Sequence, residues 1–284
     1  MKKVLVTGRD GQLGYDVLKV LAARSIEAKG VDINDFDITD EQAVLAYIAQ
    51  YQPTDIIHCA AYTAVDKAES EAERCEAINV AGSKNIAKAC KEMGAQMVYV
   101  STDYVYPGTG ETAYETDAAT GPQSVYGKTK LGGEQAAALA EKLFIVRTSW
   151  VFGKNGGNFV KTMLRLGAER EQLNVVDDQI GSPTYTADLA PLLCDLIMSE
   201  KYGIYHATNE GFCSWAEFAQ EIFAAAGLCC TVNFIPTSEY PTPAQRPLNS
   251  RLSKACLDRA GFHRLPAWQD ALRRYLAEIE AVSL

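Results

Sequence analysis

A glycine-rich turn directly after the first apolar stretch constrains the fold of this chain more than any other feature. In "KKVLVTGRDGQLG", Gly8, Gly11 and Gly14 lie between a predicted strand and a predicted helix over residues 12–23. Glycines let the backbone approach a pyrophosphate closely, and the free N–H groups of a helix N-terminus can bind it. The spacing is G-x-x-G-x-x-G, which a tight turn without a ligand also permits, but its place between strand and helix favours a dinucleotide site.

Residues at the ends of the next predicted strands extend this site. Asp32 ends the second strand, where it can hydrogen-bond a ribose diol and would repel a 2′-phosphate, which favours NADH. Arg9 can pair with that phosphate, which favours NADPH, so the sequence leaves the choice open. Asp37 either binds the adenine amine or is a helix-capping neighbour. The cofactor-binding residues predicted at this end are Gly8, Arg9, Gly11, Gln12, Leu13, Gly14, Asp32, Asp37, Ile38, Ala60, Ala61 and Tyr62.

Short apolar strands alternate with longer amphipathic stretches through the first half of the chain. Besides the first, strands are predicted near 26–32, 54–61, 95–102, 143–152, 172–176, 203–207 and 231–235, and helices at 12–23, 40–51, 66–93, 126–142, 158–168, 186–199, 214–226 and 267–281. Continuous apolar strands with helices between them form a parallel sheet covered on both faces. We therefore expect a doubly wound α/β fold. Glycines and prolines cluster after residue 150, which predicts a dinucleotide-binding domain over 1–150 and a smaller C-terminal α/β substrate lobe over 151–284, interleaved with the last sheet strands.

Composition limits the classes of partner. The chain has 284 residues, 48% hydrophobic and 22% charged, and a formal net charge of −9, so nucleic-acid binding has no electrostatic support. No apolar run approaches the roughly 20 residues of a membrane span, and the N-terminus lacks a signal-peptide pattern. We therefore expect a cytoplasmic protein without a membrane partner. The eight cysteines form no C-x-x-C pair and are expected to be reduced, and the three histidines are too scattered to indicate a metal site.

A tyrosine and a lysine near the middle of the chain form a second candidate site. "SVYGKTK" (124–130) places Tyr126 four residues before Lys130 at the start of a predicted helix, so both side chains lie on one helix face. A nearby cation lowers the pKa of a tyrosine from its ordinary value of about 10, which suits the pair to acid–base chemistry on an oxygen atom. The spacing alone also fits a surface tyrosine packed under a lysine.

Several motifs occur together in one order along the chain. They are "TGRDGQLG", "CAAYTAVDKAE" (59–69), "STDYVYPG" (101–108), "SVYGKTKLGGE", "RTSWVFG" (147–153), "DQIGSPTYTADLA" (178–190) and "RPLNSRLS" (246–253). This set resembles the extended short-chain dehydrogenase/reductases and, within them, the dTDP-4-dehydrorhamnose reductase family. The resemblance implies a Rossmann fold with a nucleotide-sugar lobe, and NADPH or NADH as cofactor. It also implies reduction of the 4-keto group of dTDP-4-dehydro-6-deoxy-L-mannose to dTDP-L-rhamnose.

The resemblance also implies roles for single residues. Thr102 would hold the 4-keto oxygen and Tyr126 would donate a proton to it. Lys130 would lower the pKa of Tyr126 and bind the nicotinamide ribose. Asn79 would bridge Lys130 to solvent through a water, or would only bend its helix. Asn79, Ser101, Tyr126 and Lys130 complete the predicted cofactor-binding set.

The substrate is expected to lie against the residues that follow the catalytic threonine. Asp103, Tyr104 and Val105 would line the sugar pocket, and Trp150 would cover the hexose ring or pack between the lobes. Arg246 would bind the diphosphate, or would be a surface residue of a proline-rich loop. Two weaker candidates in "DDQIGSPT" are Gln179 and Thr184.

Alternatives remain open on sequence alone. Some members of the family are dimers bridged by a metal on acidic residues. Asp16 and Asp188 lie near those positions, but Ala187 stands where an acidic ligand is expected, so we expect no metal and a monomer or weak homodimer. A reductase or epimerase of another nucleotide sugar would use the same glycine turn and Tyr–Lys pair. A non-catalytic dinucleotide-binding regulatory subunit would share the fold, but it could dispense with the catalytic residues that this chain retains.

Overall fold

A six-stranded parallel sheet with helices on both faces forms the centre of the computed structural model, which describes residues 2–280. The first part of the chain contains β1 (Lys3–Thr7), α1 (Gln12–Ala23), β2 (Glu27–Val31), α2 (Glu41–Tyr51), β3 (Asp55–His58), α3 (Val65–Ala68), α4 (Ala72–Glu76), a π-helix (Ala77–Gly82), α5 (Ser83–Met93), β4 (Gln96–Thr102), a 3-10 helix (Asp103–Val105), α6 (Val125–Ala137) and β5 (Leu143–Thr148).

The second part consists of shorter elements. It contains β6 (Val151–Phe152), α7 (Phe159–Glu169), β7 (Gln172–Val176), β8 (Ile180–Gly181), β9 (Thr184–Tyr185), α8 (Thr186–Ile197), β10 (Gly203–His206), β11 (Cys213–Ser214), α9 (Trp215–Ala225), β12 (Thr231–Ile235), a 3-10 helix (Thr237–Glu239), α10 (Ala255–Ala260) and α11 (Trp268–Glu280).

The strand order confirms the predicted doubly wound fold. The strands lie in the order β2-β1-β3-β4-β5-β10, and every neighbouring pair is parallel. The order reverses between β1 and β3. In such sheets the crevice beyond the carboxyl ends of the strands at this reversal is where ligands bind.

Two apolar layers cover the sheet. Helices α1 and α8 pack on one face through residues such as Leu13, Val17 and Leu193, and α2, α5 and α6 cover the other face through residues such as Ile48 and Ile86. A third apolar cluster joins α7, α9 and α11 in the C-terminal part, where β7 and β12 form a separate parallel pair. The strand β10 belongs to the main sheet although it follows residue 200.

Polar side chains fix where several helices begin. Asp40 accepts hydrogen bonds from the N–H groups of Gln42 and Ala43 at the start of α2. Ser124 accepts from Gly127 N at the start of α6. Such caps satisfy N–H groups that lack a partner within the helix. The cap at Ser124 therefore sets where the helix that carries Tyr126 and Lys130 begins.

Two predicted elements are interrupted in the structure. The predicted strand over 143–152 breaks at Trp150, whose φ of 49° is in the left-handed region, so that β6 leaves the main sheet and pairs with β9. The range 66–93, predicted as one or two helices, is divided into α3, α4, the π-helix and α5. Both interruptions lie beside the cavity described next, where the backbone must turn side chains towards a common space.

Candidate active site

A cavity of about 1040 Å³ lies beyond the carboxyl ends of the main-sheet strands. Its walls come from the glycine turn, the ends of β2 to β5, the start of α6, and the region around Trp150. The predicted residues that line it are Gly8, Gly11, Gln12, Leu13, Gly14, Asp32, Asp37, Ile38, Ala60, Ala61, Ser101, Thr102, Asp103, Tyr104, Tyr126, Lys130 and Trp150. The predicted cofactor-binding turn and the predicted catalytic residues therefore line the same cavity.

The glycine turn has the geometry that a pyrophosphate requires. Gly8 has a φ of 72°, and a Cβ added there would lie 2.8 Å from the backbone nitrogen of Ala60. A Cβ at Gly14 would collide with the carbonyl oxygen of Gly8. Among the residues that the structure describes, no side chain caps the N-terminus of α1, so its first N–H groups are available to an anion. The turn and the helix terminus fit the diphosphate of a dinucleotide.

The end of β2 carries the charges relevant to cofactor choice. Asp32 lines the cavity and accepts a hydrogen bond of 3.1 Å from Asp10 N. Arg9 lies beside the cavity rather than in its wall, with its guanidinium 3.1 Å from Asp35 and 3.3 Å from the Asp10 carboxylate. The predicted phosphate-binding arginine is therefore ion-paired to two carboxylates of its own chain.

Asp37 lies at the adenine end of the cavity. The carboxylate lines the cavity and also accepts bonds of 2.8 Å from the N–H and hydroxyl groups of Thr39, which shapes the turn before α2. The helix itself is capped by Asp40. Ile38 lines the cavity and packs against Gly82, where an added Cβ would lie 2.7 Å from its Cδ1.

Thr102 and Tyr126 meet at the other end of the cavity. Thr102 ends β4 and donates a 3.0 Å hydrogen bond to Asp103 Oδ1. Loss of water around the phenol raises the pKa of Tyr126, and the Thr102 hydroxyl offsets only part of that rise. Tyr126 is therefore protonated at neutral pH, as a proton donor must be.

The pKa of Tyr126 is not lowered below its ordinary value, although the four-residue spacing to Lys130 predicts this. The buried ammonium donates a 2.7 Å hydrogen bond to the carbonyl of Val100 and lies 4.2 Å from the centre of the Tyr99 ring. Burial lowers the pKa of Lys130 to about 8, although Glu134 acts in the opposite direction. The pKa of Tyr126 is raised overall because desolvation of the phenol outweighs the groups that lower it.

Asp103 is a buried carboxyl in the cavity wall. Burial raises its pKa to about 6, against the stabilising effect of the Ser250 and Thr102 hydroxyls. Tyr104 follows it, and its ring meets the Tyr126 ring edge-on. These two residues form the floor of the space next to the phenol.

The predicted sugar-covering tryptophan lines the cavity and also packs between elements. Its ring stacks on that of Trp215, with centroids 3.7 Å apart and planes at 15°. Arg246 lies in a smaller adjoining pocket of about 90 Å³. There it donates to Asp66 Oδ2 at 2.5 Å and to the Tyr104 hydroxyl at 3.1 Å.

Four predicted residues lie away from the cavity. Val105 is fully buried with Tyr106 and Leu252 in a small apolar cluster, because the 3-10 helix after Thr102 turns it inward. Tyr62 donates its hydroxyl to Glu71 instead of facing a cofactor. The remaining two are held in the C-terminal part, with Gln179 donating to Thr237 Oγ1 and Thr184 accepting from the Thr148 hydroxyl.

Asn79 also departs from its predicted position. Its carbonyl oxygen accepts a 2.8 Å bond from Tyr62 N, and its amide nitrogen donates to Tyr62 O and to Thr129 Oγ1. It lies inside the π-helix. The side chain therefore joins the chain after β3 to α6, and the water bridge to Lys130 stays a prediction.

Two residues next to the site have no role predicted from the sequence. Glu134 and Arg147 form a buried ion pair of 2.7 Å, and Glu134 also accepts from the Ser101 hydroxyl. Both stand inside motifs quoted above, "KLGGE" and "RTSW", and a charged residue in an otherwise apolar strand is the signal that marks Arg147. Trp215 was also missed, since nothing in "CSW" distinguishes it from a core residue.

The acidic residues considered as metal ligands have other partners. Asp16 accepts a bond of 2.5 Å from the Thr186 hydroxyl, and Asp188 pairs with Arg274 at 2.7 Å. Over residues 2–280, no group of three or more His, Cys, Asp or Glu side chains could hold a metal ion. All eight cysteines are free thiols.

No helix within the described part of the chain has the length and apolar character to cross a bilayer.

Comparison with known proteins agrees with the geometry. Residues 1–281 match the family model of the RmlD substrate binding domain. The chain is 41% identical to a dTDP-4-dehydrorhamnose reductase from Streptomyces griseus, covering 94% of this chain and 91% of that one. It is 42% identical to the spore coat polysaccharide biosynthesis protein SpsK of Bacillus subtilis, covering 98% of both.

A solved structure is equally similar. The crystal structure of dTDP-4-dehydrorhamnose reductase from Bacillus anthracis in complex with NADP superposes with a TM-score of 0.95 at 43% identity, covering 98% of this chain and 99% of that one. The family resemblance expected from the ordered motifs is thus confirmed. The glycine turn at one end of the cavity and Thr102, Tyr126 and Lys130 at the other agree with this similarity. The chain belongs to the RmlD substrate-binding family of dTDP-4-dehydrorhamnose reductases.

Proposed function

We propose that this chain reduces the 4-keto group of dTDP-4-dehydro-6-deoxy-L-mannose to dTDP-L-rhamnose, with NADPH or NADH as cofactor. The observation that carries the proposal is that the glycine turn and the acid–base residues line one cavity. A dinucleotide bound at the turn can then share that cavity with a substrate at Tyr126. The relatives' names supply the sugar, and the geometry supports the reaction class.

The residues of the catalytic end have complementary roles. When bound, NADPH or NADH supplies the hydride. Tyr126 donates the proton to the 4-keto oxygen, since its pKa is raised and its hydroxyl stays protonated at neutral pH. Thr102 positions that oxygen through its own hydroxyl, which lies at the end of β4 beside the phenol. Proton donation and carbonyl orientation therefore fall to two different side chains.

Lys130 binds the nicotinamide ribose and supplies a positive charge at this end of the cavity. The proposal keeps this role although Lys130 contacts the Val100 carbonyl in the structure. An ammonium has three donors, so one bond to Val100 leaves donors for ribose hydroxyls. Because its pKa is lowered to about 8, the charge is present at neutral pH and is lost as the pH rises above that value.

The nucleotide-sugar side is formed by Asp103, Tyr104 and Trp150, with Arg246 as the diphosphate ligand. Arg246 is paired with Asp66 and adjoins the cavity through Tyr104. A guanidinium binds phosphate oxygens bidentately. We therefore assign it an exchange of Asp66 for the diphosphate when substrate binds.

Either cofactor is compatible with the ribose end. Asp32 offers its carboxylate to a ribose diol, and Arg9 offers a guanidinium that two carboxylates partly neutralise. The Bacillus anthracis relative binds NADP. We therefore propose that NADPH and NADH both serve.

The remaining proposals concern the location, oligomeric state and domain division of the enzyme. We place it in the cytoplasm as a monomer or weak homodimer without a nucleic-acid partner, with cofactor binding assigned to 1–150 and sugar binding to 151–284. Light scattering and fractionation test the oligomeric state and the location.

The decisive experiment is turnover of the purified protein with dTDP-4-dehydro-6-deoxy-L-mannose and each reduced nicotinamide. The expected result is loss of the reduced-nicotinamide absorbance with formation of dTDP-L-rhamnose, identified by chromatography. If the protein turns over only a UDP- or GDP-linked keto sugar, its substrate is another nucleotide sugar and the proposed substrate is wrong. Cofactor binding without turnover of any sugar in such a panel would favour a regulatory subunit.

A further inference from the structure

The buried pair Glu134–Arg147 lies directly beneath the catalytic residues without touching the cavity. Glu134 is on α6, one helical turn after Lys130, and Arg147 is on β5. Arg147 Nε and Nη2 donate to the two carboxylate oxygens of Glu134 at 2.8 and 2.7 Å. Both side chains are about 95% buried, so this is a bidentate pair in a low-dielectric environment.

The pair also contacts residues at the cavity wall. Ser101 donates its hydroxyl to Glu134 Oε1 at 2.5 Å, and it is the residue before Thr102. In the parallel register of β4 and β5, Ser101 lies opposite Arg147 and Thr102 lies opposite Thr148. Glu134 therefore connects the helix of Tyr126 and Lys130 to the strand end that carries Thr102.

We propose that Glu134 is a positioning residue for the reduction: it holds the end of β4 through Ser101 and places a carboxylate one helical turn from Lys130. This inference rests on the proposed function, because it concerns the ammonium that binds the nicotinamide ribose. Arg147 anchors the carboxylate on β5. Its Nη1 donates to the Tyr106 hydroxyl at 2.5 Å and to the carbonyl oxygen of Thr116 at 3.2 Å. The guanidinium is therefore held by these two groups as well as by Glu134.

The surroundings of Lys130 leave Glu134 as its main anionic neighbour. The other titratable groups near the ammonium include Cys59 at the end of β3, Cys75 on α4, His58 on β3, Tyr99 on β4, and Tyr126 one turn earlier on α6. Burial raises the pKa of both cysteines and lowers that of His58 to about 3, so all three are uncharged at neutral pH. Of the groups that raise the Lys130 pKa, Glu134 has the largest effect.

The test compares Glu134→Gln with two matched variants. Glu134→Asp keeps the charge and changes the length. Asp55→Asn removes another buried carboxylate with an ion pair, that to Lys2, at the amino end of β3 and away from the cavity. For each protein we would measure the pH dependence of kcat/KM for the dTDP-sugar and of the Kd for the reduced nicotinamide.

The expected result is that Glu134→Gln moves the basic limb of both profiles down by about one pH unit, which leaves roughly tenfold less charged Lys130 at high pH. Glu134→Asp should restore most of that loss, and Asp55→Asn should keep the wild-type profile while lowering the unfolding temperature. If Glu134→Gln lowers the unfolding temperature but its two profiles coincide with those of the wild type, the pair is structural only and the proposal is wrong.

Two further outcomes remain decisive. If Glu134→Gln does not fold because Arg147 is left unpaired, the uncharged double variant E134Q/R147Q takes its place in the same titrations. If the wild-type protein does not turn over the dTDP-sugar, the proposed substrate fails, while the pH dependence of nicotinamide binding still decides the role of Glu134.

Discussion

The ring of Tyr104 meets the ring of Tyr126 edge-on, with centroids 5.4 Å apart and planes at 76°. The hydroxyl of Tyr104 in turn accepts a hydrogen bond from Arg246. One aromatic side chain thus connects the proposed proton donor to the proposed diphosphate ligand. Edge-to-face pairs contribute about 0.5–1.5 kcal/mol beyond burial, which favours this tilt of the phenol.

Tyr126→Phe should lower kcat by roughly 10²–10⁴-fold, the usual contribution of a general acid. The Kd for the reduced nicotinamide should stay unchanged, because the ring and its packing on Tyr104 are kept. Steady-state kinetics and nicotinamide fluorescence check the two quantities. Tyr51→Phe, on α2 and away from the cavity, is the control. Wild-type turnover in Tyr126→Phe would show that another group supplies the proton.

Lys130→Met should make the protein more stable and inactive at neutral pH. Burial lowers the pKa of Lys130 from 10.5 to about 8, which corresponds to roughly 3 kcal/mol of destabilisation below pH 8. Between pH 8 and 10.5 the unfolded chain binds more protons than the folded one, so wild-type stability rises with pH there. The gain in the variant should therefore shrink over that range. Urea unfolding at several pH values checks this, and a variant less stable than wild type at pH 7 contradicts it.

Arg246→Met should raise KM for the dTDP-sugar by about 10–100-fold, the loss expected for a charge-assisted bond of 1.5–3 kcal/mol. The KM for the nicotinamide should not change, because Arg246 lies in the adjoining pocket. Arg264→Met removes an exposed arginine paired with Asp258 and serves as the control. Equal effects on sugar and nicotinamide would indicate a general loss of structure instead.

Asp35→Asn should increase the preference for NADPH over NADH. The substitution removes one of the two carboxylates paired with Arg9, which leaves the guanidinium freer to pair with a 2′-phosphate. The ratio of kcat/KM for the two cofactors measures the effect. A ratio equal to that of the wild type would mean that Arg9 does not reach the phosphate.

Gly181→Ala should weaken sugar binding from a position outside the cavity. A Cβ at Gly181 would lie 2.8 Å from Cε2 of Trp150, so the indole must shift. We expect a higher KM for the dTDP-sugar with unchanged nicotinamide binding. Gly121→Ala, whose Cβ would lie at an ordinary 3.5 Å from Pro107, is the matched control. Unchanged sugar kinetics in Gly181→Ala would remove Trp150 from the binding site.

Local patterns in the sequence were sufficient to predict the sheet and the glycine turn. The order β1-α1-β2 and the position of Gly8 follow from apolar runs and from the backbone freedom of glycine, and both depend on neighbours along the chain. The same holds for Tyr126 and Lys130, which lie on one face of a single helix. The resemblance to relatives added Thr102 and the substrate.

The parts that sequence could not predict depend on contacts between distant segments. The direction of Val105 depends on a short 3-10 helix, and the partners of Asn79 lie on two other elements. The pKa of Tyr126 depends on how much water surrounds the hydroxyl, which the spacing to Lys130 does not reveal. The pairing of Arg246 with Asp66 joins residues 180 positions apart.

The position of β10 at the edge of the main sheet has a consequence for synthesis of the chain. A nascent polypeptide that ends near residue 150 has β1 to β5 but neither β10 beside β5 nor α8 against α1. An open strand edge and the apolar face of a helix are then exposed together, which favours aggregation. The nucleotide-binding half thus completes its folding only after residues 151–206 have also left the ribosome, and contacts so distant along the chain slow folding.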